Sequence, residues 1–354
     1  MELQLEKSPR MEWLDAMRGF TMILVVAYHV SIDSFDQSIK HSTALSFFML
    51  FRMPLFFFVS GFLAYSSKVE WNFRTLTDKV VKKCKVQLIP TIVFLAVFLS
   101  LMRPDFWKGL EAAVMSPTKS GYWFTWALLL MFIIYYIFSY VESKLSKKSI
   151  IPIVCLWLVA TVIYATLYMP SWFNYHKDPF YNYTSLIQVM NYFHFFLLGT
   201  IVRRTWHHVE RLFDSKWFYT TIVIITFVCT VDYLKWHTLR LQWANLPRTL
   251  AIYCLVLIVV MFFRYYKSWF TKDTFVGKGL QYIGTRTLDI YLLHFLFLPN
   301  AKMIGKFFTD NRRNFVLDTT LSITVGLLVI GFCLIASNIL CVSPIFRKYL
   351  FGRS

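Results

Sequence analysis

Several side chains able to do acid–base and electrostatic chemistry stand inside stretches that are otherwise apolar. The segment "MRGFTMILVVAYHV", residues 17–30, carries Arg18 and His29; "FRMPLFFFVSGFL", residues 51–63, carries Arg52; "IGTRTLDIYLLH", residues 283–294, carries Asp289 and His294. A charged side chain at the centre of a bilayer costs about 2.5–3.5 kcal/mol on insertion scales, so such groups mark function by default. Histidine could abstract a proton, and arginine could stabilise developing negative charge. A hydroxyl attacking a thioester is one reaction that needs such a base and such a cation. Nothing in the composition itself specifies a thioester.

Arg18 and His29 are eleven positions apart. On an α-helix that is about 16 Å along the axis and only about 20° around it, so the two share a face. One polar stripe then runs along the first helix, facing either a partner helix or a water-filled passage. Asp15 lies one turn before Arg18 and Asp33 one turn after His29, each close enough to pair with its neighbour. A purely structural reading stands beside the functional one: a buried Arg18–Asp15 pair, with His29 donating to a backbone carbonyl. In the second segment Pro54 removes a backbone donor, and Ser60-Gly61 permits a close helix approach or a local break. His194, flanked by aromatics, reads as a packing residue.

The elements that must position these groups are membrane helices. Of 354 residues 57% are hydrophobic and only 16% are charged, against about 25% charged in soluble domains. Mean hydropathy is +0.52. Repeated apolar stretches long enough to cross about 30 Å of hydrocarbon predict an all-α, polytopic integral membrane protein. The ten expected spans are 13–33, 43–66, 86–102, 121–141, 150–168, 185–204, 216–232, 244–264, 279–301 and 315–341, forming a single transmembrane domain over 1–354. The net charge of +18 follows the same topology. With both termini cytoplasmic, the inner segments hold about twice as many Lys and Arg as the outer loops, the positive-inside bias. Only the last outer loop, 302–314, runs against it. The basic charge is thus accounted for without a nucleic-acid partner. In this topology Arg18 sits in the inner half of span 1 and His29 in the outer half. Arg52 lies about 13 Å into span 2, near the depth of His29. Asp289 falls near mid-membrane and His294 in the outer half of span 9.

Six cysteines are scattered singly, without metal-ligand or redox spacing. The first hydrophobic segment, carrying Asp15, Arg18 and His29, is not a cleavable signal. No internal repeat is apparent, which weakens an inverted-repeat transporter. Loop 67–85 reads as a short amphipathic surface helix, apolar at Leu76, Val80 and Val81 and basic at Lys79, Lys82, Lys83 and Lys85. The outer loop 169–184 is rich in aromatics and Asn, which suits an interfacial belt or a sugar-facing surface.

With these motifs in hand, the chain resembles the acyltransferase 3 family of integral membrane acyltransferases. "LDAMRGFTMILVVAYHV" looks like that family's first span, whose hallmark is Arg or Lys, ten residues, then His. "FRMPLFFFVSGFLAY", "GYWFTWALLL", "FHFFLLGTIVRR" and "GTRTLDIYLLHFLF" follow in the expected order. The resemblance implies ten helices in a bacterial inner membrane. It also implies transfer of an acyl group, often acetyl, from cytoplasmic acyl-coenzyme A to a hydroxyl of an extracytoplasmic or lipid-linked glycan. Acyl-coenzyme A would be a co-substrate, with no tightly bound cofactor and no metal. Carried onto this sequence, it makes His29 the general base, Arg52 the cation near the thioester, and Arg18 a donor contact or a support for the span. Asp15 precedes Arg18 as in the family. The family's Arg-x-x-Arg pair is matched only by Lys82 and Lys85, which would bind coenzyme A phosphate as point charges rather than forks. Asp33, Ser60, Asp289 and His294 are further candidates. Trp123 suits interfacial anchoring or stacking on a sugar ring. No outer hydrolase-like domain is expected after span 10. Direct transfer is favoured, with a transient acyl-histidine as the other route. Two other readings remain from the residues alone. One is a transporter or flippase for a small anionic or acylated solute. The other is a structural or sensory membrane protein.

Overall fold

The structure, a computed structural model, describes residues 11–38, 41–145, 149–166, 178–231, 246–310 and 314–351. Among these there are helices and no strands. The described residues of each of the ten segments expected to span include helix. Six helices are long and apolar enough to cross a membrane: Thr43–Ala64, Phe73–Met102, Trp123–Leu145, Leu186–Arg204, Arg248–Tyr265 and Phe315–Leu340. The pair Trp206–Phe213 and Lys216–Val231, bent by 81°, would make a seventh. Ile151–Thr166 and Thr287–Phe297 are apolar but shorter. Most of loop 169–184 lies outside the described residues.

Helix α1 spans Glu12–His29 and continues through a π-helical turn, Val30–Ser34. Its acidic first turn, with Glu12 and Asp15, complements the helix dipole. Helix α2, Thr43–Ala64, opens on the Ser42 cap, whose hydroxyl accepts from the Leu45 amide, and runs through Pro54. Helix α3, Phe73–Lys83, is capped by Asn72 and leads through a second π turn, Cys84–Leu88, into α4, Ile89–Met102. The amphipathic segment expected on the membrane surface is therefore the first part of a longer helical run. Leu76 and Val80 pack against the core, while Val81 stays exposed. Helices α5 (Phe106–Met115), α6 (Trp123–Leu145), α7 (Ile151–Thr166), α8 (Pro179–Thr184) and α9 (Leu186–Arg204) follow. Then come α10 (Trp206–Phe213), α11 (Lys216–Val231) and α12 (Leu246–Tyr265). The expected ninth span is not one helix: α13, Phe275–Thr285, and α14, Thr287–Phe297, meet at Arg286, which leaves helical geometry with φ −118° and ψ 22°. Helices α15 (Lys302–Asp310), α16 (Phe315–Leu340) and α17 (Pro344–Phe351) complete the chain.

Two glycine contacts set how closely the site-bearing helices approach. A side chain at Gly19 would meet the Leu280 carbonyl oxygen at 2.0 Å, and one at Gly284 the Asp15 carbonyl oxygen at 1.8 Å, so α1 and α13 cross backbone to backbone. Gly61 on α2 and Gly199 on α9 do the same against the Phe196 and Phe58 carbonyls, at 1.8 and 2.0 Å. Small residues permit this approach where helices associate by packing rather than by the hydrophobic effect. Of the two roles open to Ser60-Gly61, the close approach is the one found: α2 is unbroken there. The fold thus clamps α1 and α2, carrying Arg18, His29 and Arg52, into fixed registers.

Candidate active site

His29 ends the regular part of α1, and the π turn after it brings Asp33 back over its ring. His29 Nδ1–H donates to Asp33 Oδ2 at 2.8 Å, which leaves Nε2 as the free acceptor. The histidine side chain is mostly buried, while Asp33 is about half exposed. His294 on α14 lies beside it, with ring centroids 5.0 Å apart. Its Nδ1–H donates to the Tyr291 carbonyl at 2.7 Å, with the Ile290 carbonyl at 3.2 Å, and its Nε2 is buried without a hydrogen-bond partner. Both rings are oriented by a partner on Nδ1, the arrangement that prepares Nε2 to take a proton.

Arg52 approaches the same place from α2. Its guanidinium carbon sits 3.3 Å from the centre of the Tyr28 ring, a desolvated cation–π contact. The side chain is buried, Nε and Nη1 have no hydrogen-bond partner, and among the described residues Arg52 makes no ion pair. A cation held this way costs stability and stays available to an incoming anion or polarised carbonyl. His29, Asp33 and Arg52 all line one cavity of about 650 Å³. Trp123 and Gln188 line it as well, with Tyr192. The rings of Phe57, Tyr192 and Trp123 form a three-way cluster, Tyr192 stacked on Phe57 at 5.0 Å and on Trp123 at 5.7 Å, with Phe57 tilted against Trp123 at 6.2 Å.

Arg18 serves a second cavity, of about 490 Å³, shared with Ser60, Lys79, Lys82, Lys83 and Gln87. Arg18 Nη1 pairs with Asp15 Oδ1 at 3.3 Å, and Nη2 donates to Thr287 Oγ1 at 3.1 Å, just past the break between α13 and α14. The Lys83 ammonium lies 3.6 Å over the Phe132 ring. Four cations thus line this pocket, and among the described residues no carboxylate lies in its wall. The single passage implied by the polar stripe is therefore two cavities back to back. They share Phe56, Phe124 and Tyr291 in their walls.

Most of the sequence-predicted residues divide between the two cavities. His29, Arg52, Asp33 and Trp123 meet at the first cavity; Arg18, Ser60 and Lys82 meet at the second, with Asp15 behind Arg18. Lys85 is exposed and does not line it. Lys82 and Lys85 would share a face of an uninterrupted α-helix, but the π turn starting at Cys84 shifts the register between them. Asp289 lines neither cavity; it accepts a hydrogen bond from Ser337 and ties α14 to α16. His294 backs His29 from outside the first cavity's wall. His194 packs as expected, bonded to Tyr253 and the Asn191 carbonyl and stacked on Tyr164. Sequence reasoning missed Tyr28, Gln188 and Tyr192. Tyr28 adjoins His29, but no spacing links it to Arg52 or either residue of α9 to the site.

Comparison with known proteins places the chain in a family. Residues 11–342 match the acyltransferase 3 family, described as an acyltransferase domain. The chain belongs to that family and is a membrane acyltransferase. It is similar to glucans biosynthesis protein C of Escherichia coli strain K12, at 22% identity over 96% of this chain and 94% of that protein. The same protein from strains SMS-3-5 and O81 (ED1a) matches with the same identity and coverage. No solved structure matches the chain significantly.

Proposed function

We propose that the protein transfers a short acyl group, acetyl in the first instance, from acyl-coenzyme A to a hydroxyl of a glycan. Ten spans with both termini cytoplasmic, in a bacterial inner membrane, put the Arg18 cavity on the cytoplasmic side and the His29 cavity on the outer side. The four cations of the inner cavity suit the phosphates of coenzyme A, and Lys82 serves there together with Lys79 and Lys83. The outer cavity takes the acceptor, whose sugar rings stack on Trp123 and Tyr192 in its wall. The relatives' name, glucans biosynthesis protein C, favours a glucan-like or other glycan acceptor.

The carrying observation is the joint position of His29 and Arg52 on one cavity, the base oriented by Asp33 and the cation without an ion pair. In the proposed step His29 Nε2 takes the proton of the acceptor hydroxyl as its oxygen bonds the acyl carbon. The carbonyl electrons move onto oxygen, where Arg52 stabilises them. On collapse the carbon–sulfur bond breaks, and the thiolate leaves with the proton from His29 as free coenzyme A. An acyl-histidine route would need Nε2 as nucleophile instead, and direct transfer uses fewer steps. The test is mass spectrometry of surface polysaccharides from cells with and without the gene. An acyl modification present only with the gene is expected. Identical glycans would contradict the reading.

A further inference from the structure

Arg52 is buried within a membrane helix and makes no ion pair among the described residues. A charge taken out of water is costly unless something compensates it. The cavity that Arg52 lines has one carboxylate in its wall among the described residues, Asp33, and that group is committed to His29. The compensating group is an aromatic face. Tyr28 lies 3.3 Å from the guanidinium carbon, measured to its ring centre. The same ring stands at 88° to the His29 imidazole, with centroids 5.2 Å apart, and it too lines the cavity. One side chain thus touches both the base and the cation. A carboxylate in its place would neutralise the charge and take up N–H donors, as Glu142 does for Arg204. A π face attracts a cation through its quadrupole and brings no lone pair to occupy the N–H groups.

We propose that Tyr28 is the positioning residue of this site: its ring face stands in for a counter-ion, seating Arg52 beside His29 and leaving the guanidinium N–H groups to the reacting oxygen. The inference rests on the acyl-transfer reading above. Negative charge grows on the carbonyl oxygen only as the acceptor attacks. A cation already neutralised by a carboxylate would gain less from that charge than one held by a ring. An interaction that strengthens only in the transition state acts on kcat and not on the binding of either substrate. The attraction of the ring for Arg52 therefore sets the rate of transfer. Tyr28 follows from the sequence as the neighbour of His29 on α1, while Arg52 arrives from α2. The ring is what fixes the contribution of the second helix against that of the first. It gives no atom or proton to the reaction.

The test varies the electron density of the ring at nearly constant shape. Tyr28→Phe is compared with phenylalanines at the same position that carry one, two or three ring fluorines, each of which withdraws charge from the π face. Transfer of labelled acetyl from acetyl-coenzyme A to the native glycan is followed in membrane vesicles at matched protein abundance. Tyr28→Phe is expected to keep most of the wild-type rate. From there kcat is expected to fall with each added fluorine, by at least about tenfold at three, with the KM for donor unchanged. The same series at Tyr65, whose ring lies 5.1 Å from Arg204 and outside both cavities, is expected to give one flat rate. A Tyr28 series that stays flat, rises, or is matched by the series at Tyr65 overturns the positioning role, as does a fall carried by KM alone. A loss already complete in Tyr28→Phe assigns the effect to the hydroxyl and overturns it as well. All of these spare the acyl-transfer reading so long as wild type transfers acetyl. No transfer by wild type overturns both.

Discussion

Arg52 and Arg204 are both buried guanidinium groups near membrane helices, and they are treated in opposite ways. Arg204 closes a two-pronged pair with Glu142, its Nη1 and Nη2 donating to the two carboxylate oxygens at 2.8 and 2.7 Å. Arg52 has an aromatic face beneath it and two nitrogens without partners, and it opens on a cavity. The histidines repeat the contrast. His194 is hydrogen-bonded through both ring nitrogens, while His29 has one nitrogen committed to Asp33 and faces the cavity. Burial alone thus does not separate structure from chemistry in this membrane protein. What separates them is that Arg204 has a carboxylate partner, with only its Nε unbonded, whereas Arg52 and His29 open on a cavity.

That contrast can be broken by substitution. The largest effect is expected from Arg52→Met, which should lower the rate of acyl transfer on the order of 10²–10³-fold, as loss of a charge-stabilising donor does, while abundance holds. Arg204→Met should do the reverse. It strands the Glu142 carboxylate, costing about 3–5 kcal/mol of stability, and activity per folded molecule should persist. Adding Glu142→Leu to Arg204→Met should recover much of that loss, since an apolar replacement of both partners is often neutral. Thermal unfolding in detergent beside single-turnover transfer separates the two outcomes. Equal falls in stability for both arginines would erase the distinction.

Asp33→Asn should come next. It keeps the shape of the π turn but weakens the orientation of His29; because Asp33 is half exposed, unlike the buried carboxylate of a catalytic triad, kcat should fall by less than in Arg52→Met, with the KM for donor unchanged. A change in KM alone would place Asp33 in binding rather than in orienting the base. Smaller still, Lys79→Ala with Lys82→Ala should raise the donor KM, most at low salt, because partly exposed cations are screened by ions. Lys85→Ala should leave it at the wild-type value. The reverse order of effects would favour the Lys82–Lys85 spacing over the cavity wall.

Much of the site was legible before any fold was known, because a charged residue in an apolar helix has few bland explanations. The eleven-residue spacing put Arg18 and His29 on one face, and counting into span 2 put Arg52 at the depth of His29. Asp15 and Asp33 followed from helical reach. Other features depended on departures from regular helix. The π turn at Cys84–Leu88 turns Lys85 away from Lys82, and the break at Arg286 sets Thr287 against Arg18. Neither leaves a periodic trace. Tyr192, Gln188 and the shared wall of Phe56, Phe124 and Tyr291 depend on tertiary crossings. An aromatic residue in so aromatic a chain carries no signal of its own. Gly61 shows an intermediate case: the small residue was readable, but its partner, the Phe196 carbonyl on α9, was not.

The central claim is that His29 takes the proton of the acceptor, and its most direct test is His29→Ala in membrane vesicles. With labelled acetyl-coenzyme A supplied on the cytoplasmic face and protein abundance matched, label reaching the glycan should fall at least about 10²-fold, the scale of a lost general base. Label arriving at the wild-type rate would show that the imidazole is not the base.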